Sequence, residues 1–91
     1  MVNNKSRYQP PKSVDKEHKS EMLEIGKKLG KLRTKTGLSV SAYSDKINIS
    51  RNSYAKMEKG EIYFSLRNLL IILNHHGLDL KKFIETDIEN L

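Results

Sequence analysis

At 91 residues the chain holds one domain, and a domain this small buries only about 60% of the surface its unfolded chain exposes, which leaves little room for a deep catalytic cleft. It contains no cysteine, so neither a disulfide framework nor a thiolate zinc site can staple the fold, and a packed apolar core must hold it. The net charge is +6, and the longest apolar run, Leu69 to Leu73, falls far short of the roughly 20 residues that span a bilayer.

Met1 to about Ser20 has no hydrophobic periodicity, carries Pro10 and Pro11, and surrounds Tyr8 with Asn, Lys, Ser and Gln. It reads as a flexible basic N-terminal arm, residues 1–20, ahead of a domain at 21–91. Nothing in it resembles a secretory signal, and a cytoplasmic location is expected. From Met22 the pattern changes. Ile25, Leu29 and Leu32 recur at helical spacing, with Lys27, Lys28, Lys31 and Lys35 on the other faces, which predicts a first helix over roughly Met22 to Thr36, stopped by Gly37.

Ser39 is a natural N-cap, and Tyr43 and Ile47 mark the buried face of a short second helix, about Val40 to Ile47. Asn48 tolerates the left-handed backbone of a tight turn. Ile49 tucks inward and Ser50 caps a third helix, about Arg51 to Lys59, closed by Gly60. Ser65 caps a strongly apolar fourth helix, Leu66 to His76, ended by Gly77. A last helix begins near Asp79 with Leu80, Phe83 and Ile84 inward and frays towards Leu91. Five short helices with no strand make an all-α, compact domain.

Charge is polarised along this order. Residues 1–37 carry ten Lys/Arg and four Asp/Glu (10 − 4 = +6), residues 38–60 four and two (4 − 2 = +2), and residues 61–91 three and five (3 − 5 = −2). A basic front suits a polyanion, because neutralising phosphates releases counterions; ordinary solubilising charge is the competing reading.

Two short capped helices joined across Asn48 and Ile49 are what a helix-turn-helix requires. Tyr43, Ile47, Ile49, Tyr54 and Met57 form one buried seam, which leaves Arg51, Asn52, Ala55, Lys56 and Lys59 on the opposite face of the third helix. That face suits the major groove. Arg pairs with guanine O6 and N7, Asn with adenine N6 and N7, and Ala55 fits beside a thymine methyl. Lys56 reaches guanine or phosphate, and Lys59, at the helix end, is expected on phosphate. A merely solvated polar face is the bland alternative.

The run GLSVSAYSDKINISRNSYAKMEKGEIYFSLRNLLIILNHHGLDLKKFI resembles the helix-turn-helix domain of the lambda repressor and Cro type, the XRE family. The similarity extends back to Ile25-Gly26 and Leu32-Arg33 and so covers roughly Met22 to Ile84. Its most specific elements are Gly37-Leu38-Ser39, Ile49-Ser50 and Glu58-Lys59-Gly60. The resemblance implies a five-helix, lambda-repressor-like fold with the motif at the second and third helices. It implies an internal ion pair between Arg33 and Glu58, base reading by Arg51, Asn52 and Lys56, and a DNA contact from Ser50; with the face read above, Ala55 joins the expected base-reading set, and Ser39, Ser53 and Lys59 join Ser50 as expected DNA-backbone contacts. Val40 stands where the family usually has a phosphate-holding glutamine, Ser44 replaces a small alanine, Asn48 replaces the turn glycine, and His76 sits where an apolar residue is common.

The partners expected are double-stranded DNA and a second copy of the chain, the homodimer being suggested by the apolar surplus of the fourth helix and by Ile71 in particular. A two-fold dimer reads half-sites about 34 Å apart. No membrane partner is expected. The leading function is a transcriptional regulator, a repressor that occupies an operator; the alternative is an antitoxin or other protein-interaction module that also binds a toxin-like protein. His75 and His76 are neighbours on a helix and diverge by about 100°, so no metal role is expected. Asn48-Ile49-Ser50 matches a glycosylation triplet without the secretory context that would use it. No nucleophile, paired carboxylates or phosphate loop suggests an enzyme, and no cofactor is expected. Lys5, Arg7 and Lys12 of the arm can follow the DNA backbone or belong to a solvated tail, the reading that composition favours.

Overall fold

The computed structural model describes residues 13–91; Lys5, Arg7 and Lys12 of the expected arm lie outside that range. Five α-helices follow in order: α1 Lys19–Thr36, α2 Val40–Ile47, α3 Arg51–Glu58, α4 Leu66–His75 and α5 Leu80–Glu85. Single 3-10 turns at Lys16–His18 and Ile88–Asn90 flank them. Among the described residues there is no β-sheet, only one antiparallel bridge between Ser13 and Ile62. No helix among them is long and apolar enough to cross a membrane.

Side-chain caps fix four of the helix starts. Ser39 Oγ accepts from the Ala42 amide at 3.1 Å, Ser50 Oγ from Ser53 at 3.2 Å, Ser65 Oγ from Asn68 at 3.0 Å and Asp79 Oδ1 from Lys82 at 2.7 Å. Each satisfies an amide that the helix itself leaves unpaired. The turn between α2 and α3 pivots on Asn48, at φ 60° and ψ 43°, where the Ile49 amide returns to Ser44 O at 3.1 Å. Ser44, fully buried, directs its hydroxyl to Ser41 O at 3.0 Å and so brings no unpaired polar group into the seam.

The core joins Leu29 and Leu32 of α1, Tyr43 and Ile47 of α2, Ile49 of the turn, Tyr54 and Met57 of α3, Leu69, Ile72 and Leu73 of α4, and Phe83 of α5. It departs from the sequence pattern at several places. Lys28 is buried, not on a solvent face: its ammonium donates to Phe83 O at 3.0 Å and Ile84 O at 3.2 Å and lies 5.4 Å from the Phe83 ring centroid. The carbonyl end of α5 is electronegative and unpaired, so a cation there is satisfied by hydrogen bonds and by the helix dipole together. Those bonds hold the end of α5 against α1, and Ile84 consequently points outward at 64% exposure. Leu91 does not trail off; its side chain is buried in the core cluster. Ile71 packs partly against the core, and the exposed apolar residues of α4 are instead Leu66 and Leu70. Packing also begins ahead of the boundary drawn after residue 20, which falls inside α1: Val14 is buried.

Candidate nucleic-acid interface

Tyr54 and Met57, three residues apart, take the inner face of α3 and are fully buried. The outer face follows from helical geometry. Arg51, Asn52 and Lys56 are exposed there, Ala55 is half-buried between them, and Lys59 is exposed at the C-cap, beyond the last helical residue. The four expected base-reading residues therefore share one surface. Arg51 Nη1 makes one long contact, 3.3 Å, to Ser41 Oγ at the start of α2. Of the expected backbone contacts, Ser39 and Ser50 use their oxygens as cap acceptors, which leaves each hydroxyl proton free to donate, and Ser53 is half-buried. Val40 is half-buried and packs against the core, so the first residue of α2 offers no side-chain donor to a phosphate.

What aims this face is the contact of α3 with α1. Gly26 is where the two backbones meet: a Cβ there would lie 2.7 Å from Met57 O and would also collide with Glu58 O. Gly60, at φ 66°, ends α3 directly over Leu23, where a Cβ would be 2.7 Å from the Leu23 Cα. Beside Gly26, Arg33 grips Glu58 with two hydrogen bonds, Nε to Oε2 at 2.6 Å and Nη2 to Oε1 at 3.2 Å. Its remaining nitrogen, Nη1, donates to Leu38 O at 2.8 Å. One guanidinium thus joins α1, the turn into α2, and α3. The hydrogen bonds to Glu58 favour the charged form and raise the Arg33 pKa. With side chains 17% and 14% exposed, the pair is shielded enough for its two-pronged geometry to matter. Glu58 is committed to this pair.

On the opposite side of the motif, the rings of Tyr43 and Tyr54 meet at 5.1 Å between centroids, one from α2 and one from α3. Burial pushes the Tyr43 hydroxyl up to about 12 and raises Tyr54 as well, with further help there from the nearby Glu58 carboxylate, while the Tyr54 hydroxyl donates to Leu29 O at 3.5 Å. Both hydroxyls stay protonated, and each needs an acceptor. His76 Nε2 lies 2.7 Å from the Tyr43 hydroxyl, which explains an imidazole at a position where an apolar side chain is common. Burial, and then the nearby His75 and Lys35, hold His76 below the ordinary histidine pKa. A neutral ring with Nε2 as acceptor fits that environment. His75 packs edge-on against Tyr43 at 5.9 Å, so both histidines belong to one aromatic cluster.

Sequence reasoning missed Ser41 beside Arg51, His76 as the partner of Tyr43, and the N-terminal contacts of Tyr63. The first two had a local signal: Ser41 sits at the second position of a capped helix, and His76 at a normally apolar place implied a buried polar group in need of a partner.

A helix-turn-helix family model matches residues 29–83, more than half of the chain. No curated protein and no solved structure gives a significant match. The matched span contains both capped helices, the Asn48 turn, the Arg33–Glu58 pair and the whole exposed face of α3. The chain belongs to the lambda repressor and Cro type of helix-turn-helix family, the XRE family of DNA-binding transcription regulators.

Proposed function

We propose that the chain is a sequence-specific transcriptional repressor that occupies an operator by laying α3 in the major groove. One observation carries this reading: Arg51, Asn52 and Lys56 stand exposed together on a helix whose opposite face is locked into the core. A solvated face needs no such fixing, whereas base reading does, because hydrogen bonds to base edges demand donors held in register. Arg51 takes a guanine, Asn52 an adenine, Lys56 a guanine or a phosphate, and Ala55 leaves room for a thymine methyl. Ser39, Ser50, Ser53 and Lys59 set the register through phosphates. With Val40 packed against the core, anchoring rests on these residues and on α3.

The chain acts as a homodimer in this reading, with the exposed Leu66, Leu70 and Ile84 available for the contact. Selection of bound duplexes from a random pool is the decisive experiment. A shared motif of two half-sites about 34 Å apart is expected. A pool that stays random through repeated rounds overturns specific reading, and a single unpaired half-site overturns the dimer.

A further inference from the structure

A pocket of about 230 Å³ opens where the ends of α1 and α4 meet α5 and the residues that follow it. Leu32, Leu78 and Leu91 give it apolar walls. Two of its polar lining residues, Thr86 and Asn90, and its Leu91 wall lie beyond residue 83, where the helix-turn-helix match ends. The family fold therefore does not build this cavity by itself. The turn at Ile88–Asn90 completes it by carrying Leu91 back into the core.

The polar part of the lining is rich in donors. No acidic side chain takes part in it. Lys35 and Lys82 are exposed at its edge and, among the described residues, neither belongs to an ion pair. His76 accepts from the Tyr43 hydroxyl through Nε2, so the neutral ring carries its proton on Nδ1. Among the described residues no buried polar side-chain atom lacks a partner, and this N–H, which has none, is therefore open to solvent. Thr86 gives its hydroxyl proton to Lys82 O at 2.6 Å and offers only lone pairs. Two cations and an imidazole N–H beside leucine walls suit an anion joined to an apolar body. Charge-assisted hydrogen bonds orient the anionic end, and burial holds the rest. The volume lies below the roughly 300 Å³ at which pockets for drug-sized ligands begin, which limits the occupant to a single ring or a short chain.

His76 belongs to the pocket and to the framework of the motif at once. Its Nε2 lies 2.7 Å from the Tyr43 hydroxyl, and the Tyr43 ring meets Tyr54 across the α2–α3 crossing. No residue of α2 or α3 lines the pocket, so an occupant leaves the exposed face of α3 free and reaches the motif through His76.

We propose that this pocket is an effector site for a small organic monoanion, a carboxylate on an apolar ring or short chain, held by Lys35, Lys82 and the His76 Nδ1–H and felt at the α2–α3 crossing through the His76–Tyr43 hydrogen bond. Neither the binding nor its transmission depends on the operator reading above.

Titration of the full chain with sodium benzoate, followed by amide and ring NMR shifts, tests the site. Benzyl alcohol, which keeps the ring and lacks the charge, and inorganic phosphate, which keeps charge and lacks the ring, are titrated beside it. Benzoate should give saturating shifts centred on Lys35, His76, Leu78 and Lys82, with a Kd on the order of 1 mM or tighter, and smaller shifts at Tyr43 and Tyr54. The alcohol and phosphate should each bind about tenfold or more weakly, as should benzoate to a chain with Lys35→Gln and Lys82→Gln together. Circular dichroism confirms that each variant is folded. Tyr43→Phe, which keeps the ring and removes the hydroxyl, should leave benzoate affinity within about twofold and erase the response of Tyr54. Shifts that never saturate, that fall equally on Lys27, Lys56 and Lys59, or that survive the double glutamine variant overturn the site. Saturable binding with no response at Tyr54, or a response that persists in Tyr43→Phe, overturns the transmission and leaves a binding pocket with no effector role.

Discussion

Within eight residues α3 carries two faces held to different standards. On one, Tyr54 and Met57 are fully buried and Glu58 is gripped by Arg33; on the other, Arg51, Asn52 and Lys56 stand in solvent. The inner face tolerates almost no change because its neighbours are backbone atoms and a two-pronged ion pair, neither of which can move aside. The outer face contributes little to folding and is free to vary in chemistry. A helix divided in this way lets one scaffold present different reading residues without being rebuilt. Changes inside should move stability and leave base preference alone, and changes outside should do the reverse.

The largest effect should come from Gly26→Val. A branched side chain at the α1–α3 contact meets the Met57 and Glu58 carbonyls, and forcing the helices apart is expected to cost about 3 kcal/mol or more, which denaturant titration measures. Retention of wild-type stability would mean that the helices are not in backbone contact. Next, Arg33→Ala leaves the Glu58 carboxylate without its partner and should cost about 3 kcal/mol, the lower end for a buried pair, since both side chains keep some exposure. Arg33→Lys should recover only part of that, because an ammonium cannot make the two-pronged contact.

Outside, Arg51→Ala should leave the melting temperature within about 2 °C, a surface-sized change, yet cost about 1–3 kcal/mol of binding to the selected sequence and relax preference at one base position. Lys59→Ala should weaken all sequences alike and reduce the salt slope by about one. If both variants act equally on every sequence, the division of the outer face into reading and anchoring residues is wrong.

The smallest effect concerns His76. Its folded pKa lies below the unfolded value near 6.5, so its neutral form is favoured by folding. The associated stability is fully present above the unfolded pKa and is lost as pH falls through and below it. His76→Gln, which retains a hydrogen-bond acceptor for Tyr43, should flatten the pH dependence of unfolding between about pH 7 and 5. Identical pH profiles for the wild type and His76→Gln would remove the histidine from the inner framework.

How much of this was legible in the sequence depends on how local the signal was. The helix starts at Ser39, Ser50, Ser65 and Asp79 each depend on a bond three residues away, and the outer face of α3 follows from the spacing of Tyr54 and Met57. Lys28 could not be read this way. A lysine on an amphipathic pattern signals solvent, and only the distant end of α5 supplies the carbonyls that bury it. Ile84 was misplaced for a related reason: α5 has six residues, less than two turns, too short for periodicity to define a face. Tyr63 was invisible because an isolated tyrosine gains its meaning from partners more than forty residues away, and Val14 because it stands alone in a polar stretch with no periodicity.

The crossing of Tyr43 and Tyr54 gives the molecule an optical handle on its own motif. The chain has four tyrosines, two phenylalanines and no tryptophan, so its near-ultraviolet dichroism belongs mainly to a few phenol rings. Two of those are immobilised 5.1 Å apart where α2 meets α3. Their coupled signal reports the angle between the helices of the motif without a label, and its loss while far-ultraviolet helicity persists would reveal an α2–α3 crossing that had loosened before the helices melted.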